Sequence, residues 1–451
     1  MKIIIAGTGR IGSALAEVLA EEGHDVAVID RDSDTVDHIS GDIDAICIAG
    51  SAADPDVLRD AGAETADLLI AATEKDEVNM VCGISARKLG TANIIARVRD
   101  PEYLGKSAFL KDTFGISMLV NPEYECAEEI SRVLRFPGSS RVDAFSKGSA
   151  EIVEYRVIRG DLFDGAALRD IGRKFGAKVL VSLVERSGEA YIPKGSFVFG
   201  ADDRLSIMGT TGELRKFFLS AGAYKKPVKS VMIMGGGRMS VYLTKILRES
   251  GISATVIEAD REKCEKLCEL IPYAGVVCGD ATRSDVLLEE NIKSKDAFVA
   301  LTGDDGNNII TSIYARSCGV PKTVVKVDHE HFAGMVENMG PDSIVTPKEV
   351  VVQQISRYVR ALSNSAGSNT IETLYKLADG RAEAIEFSVG DSFRFAGIPL
   401  RDLKLRDDVL VAAIIRDNKS IIPDGSSDIR PGDNAIVVTT SGWLKDINDI
   451  V

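Results

Sequence analysis

The sequence predicts an α/β protein in which a doubly wound parallel-sheet unit is used twice, each time followed by a smaller α+β unit. Three observations carry this. An apolar strand at residues 2–6 runs straight into a glycine-rich turn and a helix. Short apolar strands then alternate with amphipathic helices. Finally, the whole pattern recurs at an offset of 228 residues.

The first element ends in Gly7-Thr8-Gly9-Arg10-Ile11-Gly12. Gly7 permits a tight strand-to-helix turn, Gly9 admits a phosphate close to the backbone, and Gly12 lets helix and strand touch. The helix start offers unpaired N–H groups and the positive end of a dipole to an anion. Ile11, Leu15, Val18 and Leu19 recur at helical spacing, and Gly23 stops the helix. Asp30 stands 18 residues after Gly12, where a carboxylate accepts hydrogen bonds from ribose hydroxyls. Strand, turn, helix and acid together make the Rossmann-like fingerprint specific. Further strands are expected at 25–29, 45–48, 68–72 and 93–98. The alternative is a glycine turn that only packs helix on strand.

Asp30 repels a 2′-phosphate and so favours NAD(H) or an adenosine nucleotide such as ATP or ADP, whereas Arg31 beside it keeps the phosphorylated cofactor open. Ligands of such sheets lie at the carboxyl ends of the strands, which adds Gly50, Ser51 and Thr73; turn chemistry explains these three equally well.

In the second copy, Gly235-Gly236-Gly237-Arg238-Met239-Ser240 stands for the first loop and Glu258 for Asp30. Gly235, Gly237, Arg238, Met239 and Glu258 are therefore candidate binding residues, with Gly279, Asp280 and Thr302 at the later strand ends. Ser240 in place of the third glycine is a departure, and the alternative is a retained fold whose pocket has drifted.

The smaller units show strands at 151–158, 179–186 and 204–209 and a helical segment at 166–175. Ile192-Pro193 recurs as Ile422-Pro423, so these units also repeat. The expected division is 1–136, 141–224, 228–362 and 368–451, with turn-rich boundaries at Pro137-Gly138-Ser139-Ser140, Lys225-Lys226-Pro227 and 363–368.

Composition narrows the function. Lys and Arg number 54 against 68 Asp and Glu, a formal net charge of −14, which argues against a nucleic-acid backbone as partner. No run approaches the ~20 apolar residues that span a bilayer, so no direct membrane insertion is expected. The short, quickly interrupted start is unlike a signal peptide, and a cytoplasmic location follows. The seven cysteines include no CxxC and read as buried, reduced thiols; Cys264 and Cys268, one helical turn apart, are at most half a metal site. Of the four histidines, His24 and His38 have surface-like surroundings, and His329 and His331 lack a third metal ligand. No catalytic motif accompanies the fingerprint.

The repeated motifs, with Val28-Ile29-Asp30-Arg31-Asp32, the stretch 56–63, Thr73-x-x-Asp76-Glu77-Val78-Asn79-Met80 and Gly279-Asp280-Ala281-Thr282, resemble the Trk-type peripheral potassium-uptake subunits built from RCK (regulator of potassium conductance) units. The resemblance covers essentially the whole chain. It implies a non-enzymatic homo-oligomer, a ring or tetramer, beneath a membrane potassium-translocating subunit, with NAD(H) or ATP/ADP as a regulatory ligand that is not consumed. It also implies that Arg10 reaches the terminal phosphate of a ligand in an adjacent unit, that Arg97 lines the same cleft, and that Glu123 helps hold a cation. An exposed helix-start arginine is the alternative for Arg10, and Lys348 at the counterpart of Glu123 argues against a cation there. An NAD-dependent oxidoreductase and a ligand-free scaffold are the competing functions.

Overall fold

The computed structural model describes residues 1–104, 106–136, 138–222, 227–329, 341–364, 370–441 and 444–451. The expected boundary residues Pro137, Lys225 and Lys226, most of 363–368, and His331 fall outside them.

Strands β1 (Lys2–Ala6), β2 (Asp25–Asp30), β3 (Ile46–Ala49), β4 (Leu68–Ala71), β5 (Asn93–Arg97) and β6 (Met118–Val120) form a parallel sheet in the order β3-β2-β1-β4-β5-β6. That order places a topological switch between β1 and β4, at the carboxyl end of β1. The strands in the middle of the sheet are apolar on both faces because helices cover both. Strand β6 was not expected; three residues are too few to show a period.

The second unit is an antiparallel sheet, β10-β9-β11-β8-β7, built from β7 (Ser139–Phe145), β8 (Ala150–Arg156), β9 (Leu180–Arg186), β10 (Glu189–Tyr191) and β11 (Arg204–Gly209), with helices Leu168–Phe175 and Thr211–Ser220. Both architectures then recur. Strands β12 (Ser230–Met234), β13 (Ser253–Glu258), β14 (Gly275–Cys278), β15 (Ala297–Ala300), β16 (Lys322–Lys326) and β17 (Ser343–Val345) take the order β14-β13-β12-β15-β16-β17. Strands β18 (Thr370–Leu377), β19 (Ala382–Ser388), β20 (Val409–Arg416), β21 (Lys419–Ile421) and β22 (Asn434–Thr439) make the last sheet. The first and third sheets thus share one strand order.

The two halves interlock by exchanging helices. Helix Pro122–Arg135, which closes the first parallel unit, packs on helix Arg238–Glu249 of the third. Its Ile130, Val133 and Leu134 join a core shared with the second and third units. In return, Val351, Ile355 and Val359 of helix Pro347–Asn364 pack with Ile11, Leu15 and Leu19 of the first. Burying each such side chain stabilises by about 1.5–3 kcal/mol, so the exchange is a substantial apolar contact. Polar links reinforce it: Asn121 Nδ2 donates to Tyr242 Oη at 2.9 Å, and Tyr242 Oη donates to the Arg99 carbonyl at 2.9 Å. The two antiparallel sheets also face one another, through Phe145, Ile152 and Met208 against Tyr375, Ile415 and Ile436.

Lys322, on β16, is fully buried and donates to the Ser139 carbonyl and to Ser343 Oγ at 3.0 Å, so it ties the third unit to the start of the second. Burial pushes its ammonium down to about 8, against a smaller opposing pull from Asp342, and Arg316 nearby lowers it further. Between that value and the ordinary 10.5, the unfolded chain keeps a proton the folded chain has released, so stability rises with pH across this window. Lys322→Met should remove the rise. Urea unfolding of both proteins from pH 8 to 10.5 should show the wild type gaining about 1–3 kcal/mol on the variant; parallel profiles would refute the assignment.

Candidate functional site

At the carboxyl end of β1 the chain opens into a cleft of about 1080 Å³. The first unit supplies Gly7, Thr8, Gly9, Arg10, Ile11, Asp30, Arg31, Gly50, Thr73, Arg97 and Glu123, and the third supplies Gly237, Arg238 and Met239 across from them. The other sequence candidates lie elsewhere. Gly12 sits beneath the loop, and Ser51 accepts a hydrogen bond from Arg31 at 3.1 Å. Gly235, Glu258, Gly279, Asp280 and Thr302 gather at the strand ends of the third unit.

The glycine loop is held by sterics and by Asp30. Gly7 has φ +98°, and a Cβ there would lie 2.8 Å from the Thr73 nitrogen, so both its conformation and its neighbour require glycine. Asp30 Oδ2 accepts from the Thr8 N–H at 2.6 Å and from Thr8 Oγ1 at 2.7 Å, and Oδ1 accepts from the Asp32 N–H at 3.1 Å. Burial alone would raise this carboxyl; the Thr8 and Asp32 hydrogen bonds outweigh it and hold Asp30 below the ordinary carboxylate range. It is therefore ionised at neutral pH, at the place where ribose hydroxyls would donate.

Sequence reasoning missed a network behind the loop. Asn79, fully buried, accepts from the Thr73 N–H at 2.8 Å and Thr73 Oγ1 at 2.6 Å, and donates to the carbonyls of Thr73 and Arg97 at 3.1 and 2.9 Å. One amide thus fixes the ends of β4 and β5 together. Asn308 does the same for Thr302 and Lys326. The repeat was the available signal, since both asparagines align with each other.

The cleft is rich in cations. Lys75, Arg99, Lys326 and Lys348 join Arg10, Arg31, Arg97 and Arg238, against Asp30, Asp32, Glu74, Glu123 and Asp328. Arg97 Nε is buried with no partner, an orphan donor beside the cleft. Burial and then Arg99 lower the Arg97 guanidinium from its ordinary value. Arg10 reaches Asp328 of the third unit at 3.6 Å, and Lys326 Nζ meets the same carboxylate at 2.8 Å. Lys326 is the repeat partner of Arg97. A crossing between units was implied by the resemblance, but that Lys326, Asp328 and Lys348 stand opposite the first loop was not legible, because it depends on how the halves face each other.

Glu123 Oε1 accepts from Arg99 Nε at 2.6 Å, its Oε2 is buried without a hydrogen-bond partner, and Lys348 rather than a second carboxylate stands at its counterpart across the cleft. Among the described residues no group of three His, Cys, Asp or Glu is arranged to hold a metal ion. His24 is also less exposed than its neighbours suggested, its side chain 11% accessible beside Glu22 and the N-terminus.

In the third unit, the Gly236 N–H donates to Glu258 Oε2 at 2.8 Å, as Thr8 does to Asp30. Ser240, fully buried, donates its hydroxyl to the Gly235 carbonyl at 2.5 Å. The serine is thus accommodated in the turn rather than excluded from it.

Fold and cleft together define a tandem protein of the dinucleotide-binding architecture, with one cleft walled by both copies. Comparison with known proteins gives its family. The TrkA-N domain model matches residues 3–122 and 231–347, and the TrkA-C domain model matches 384–450. A Trk system potassium uptake protein TrkA homolog of Archaeoglobus fulgidus is 34% identical over the full length of both chains. The TrkA protein of Vibrio alginolyticus is 30% identical, covering 99% of this chain and 98% of its own. The chain belongs to the TrkA family of Trk potassium-uptake proteins. Among solved structures, the GsuK RCK domain superposes with a TM-score of 0.63 at 20% identity, covering 97% of this chain and 92% of that one. The GsuK channel bound to NAD gives 0.62 at 20% identity, covering 97% and 76%. These likenesses establish the RCK-type fold. Among the described residues no helix is long and apolar enough to cross a membrane.

Proposed function

We propose that this chain is a cytoplasmic, nucleotide-sensing regulatory subunit that gates a membrane potassium-translocating partner. It is read as a homo-oligomer and as a sensor without catalytic turnover. The division at 1–136, 141–224, 228–362 and 368–451 gives it two sensing units and two smaller units. The observation that carries the reading is the composite cleft: a glycine loop and ionised Asp30 on one wall, Arg238 and Lys326 of the other copy on the opposite wall.

The cleft suits NAD(H), ATP or ADP. The loop from Gly7 to Gly9 would hold the pyrophosphate at the helix start, and Asp30 the ribose. Arg10, Arg97, Arg238 and Lys326 would meet the remaining negative charge. Arg238 crosses from the third unit toward this cleft as Arg10 crosses toward Asp328 of the third unit, and both units belong to the same chain. A ligand touching both walls binds one relative placement of the units better than another and so shifts their population. Moving such an equilibrium from 1:99 to 99:1 needs about 5.5 kcal/mol of differential binding, which several copies in an oligomer would share. Helices Pro122–Arg135 and Pro347–Asn364, each anchored on the opposite unit, are suited to carry the motion. The oxidoreductase alternative gains no support, because the wall facing the loop is a second nucleotide-type unit rather than a substrate domain with an acid–base group.

The test is rubidium flux into proteoliposomes holding the cognate membrane subunit and this chain. NAD, NADH, ATP or ADP should change the flux several-fold with the wild type, and Asp30→Asn should remove the response while still binding the membrane subunit. Flux indifferent to all four nucleotides would overturn the reading.

A further inference from the structure

Two thiols meet beside the carboxylate of the second nucleotide-type unit. Cys264, in helix Arg261–Leu270, is buried, and its Sγ contacts the Glu258 carbonyl at 3.3 Å. Cys278 ends edge strand β14, where it is the register partner of Glu258, and it is exposed. This corrects the expectation of a buried thiol: β14 is covered on one side only by a neighbouring strand. The register sets Cys278 beside Glu258, whose carbonyl Cys264 Sγ contacts, so the two thiols are neighbours at this strand end. The first unit has Val36 and Ala49 at the matching positions, so the pair is private to the second copy.

We propose that Cys264 and Cys278 form a reversible redox-modification site, closing to a disulfide in the presence of a low-molecular-weight disulfide. The exposed Cys278 thiolate attacks one sulfur of the oxidant R–S–S–R and releases one R–SH, leaving a mixed disulfide. The Cys264 sulfur then attacks Cys278 Sγ and expels the second R–SH. Two protein thiols are oxidised, one external disulfide is reduced to two thiols, and both protons leave on those thiols. Burial, followed by the contact with Cys278, pushes the Cys264 thiol up to about 11, which suits it to the resolving step rather than the first attack.

The bond would staple helix Arg261–Leu270 to the strand end at Glu258. The same helix carries Leu267, so close to the second loop that a Cβ on Gly236 would lie 2.4 Å from its Cδ1. Oxidation would therefore fix one wall of the second loop and leave the first cleft free. This holds whether or not the nucleotide reading does, because the chemistry is read without nucleotide or partner.

The experiment is incubation of the reduced, intact chain with oxidised glutathione, followed by thiol counting and peptide mapping under non-reducing conditions. The expected result is a loss of two free thiols, a cross-link joining residues 264 and 278, and reversal by dithiothreitol. Cys268→Ser should keep the cross-link; Cys264→Ser and Cys278→Ser should each lose it, the former leaving a glutathione adduct on Cys278. Full alkylation of both cysteines after oxidation, a stable mixed disulfide in the wild type, or a cross-link through Cys268 would each overturn the proposal.

Discussion

Asp30→Asn is expected to weaken nucleotide binding to the first cleft by roughly 30- to 150-fold. The carboxylate stands at the end of β2 with Thr8 and Asp32 donating to it, and in the proposed function it would accept from ribose as an anion. Asparagine keeps the shape, loses the charge, and turns one oxygen into a donor that faces other donors. Exchanging a charge-assisted hydrogen bond for a poor neutral one costs about 2–3 kcal/mol, and each 1.4 kcal/mol is about tenfold in affinity. Glu258→Gln provides the internal contrast. Glu258 performs the same task for Gly236 and Asp260 in the other copy, so its replacement should leave first-cleft affinity within about twofold. Equal losses in both variants would mean that the two acids serve one site, contrary to the geometry described above.

Gly12→Ala should be among the most damaging single-methyl additions to the chain. A Cβ at residue 12 would sit 1.8 Å from the Gly7 carbonyl oxygen, which is backbone and has nowhere simple to go. Either the loop or the helix Arg10–Glu21 must shift, at a cost of about 3 kcal/mol and with loss of the phosphate cradle. Ser240 shows what accommodation requires: in the third unit the side chain is housed and its hydroxyl bonded to the Gly235 carbonyl. Ser240→Gly should accordingly cost only about 1 kcal/mol, the worth of that hydrogen bond. Urea unfolding followed by tryptophan-independent far-ultraviolet dichroism, with nucleotide affinity measured alongside, checks both. A stable Gly12→Ala protein with intact binding would contradict the packing.

These two positions also show what the sequence makes legible. Gly7, Gly9, Gly12 and Asp30 are local: strand, turn, helix and acid follow within 30 residues, and the chemistry of each step dictates its residue type. The repeat then doubles the evidence for the fold and extends it to the third unit. What escapes is what depends on tertiary placement. Strands β6 and β17 have three residues each and take their conformation from the neighbouring strand rather than from any pattern. Lys326, Asp328 and Lys348 line a cleft more than 200 residues away along the chain, which only the exchange of helices brings about. The pairing of Glu123 with Arg99 was hidden in the same way. Cys278 sits in an apolar run yet is exposed, because an edge strand has a free side that hydrophobicity alone does not reveal.

The central claim is that one cleft, built by both halves of a single chain, recognises a nucleotide through Asp30. Calorimetric titration of the purified chain with NAD, NADH, ATP and ADP, repeated on Asp30→Asn, tests it most directly. Micromolar binding of at least one of the four, lost in Asp30→Asn and kept in Glu258→Gln, is the predicted result. Absence of heat with all four, or a titration unchanged by Asp30→Asn, would contradict it and leave the fold as a scaffold that works through its protein surfaces alone.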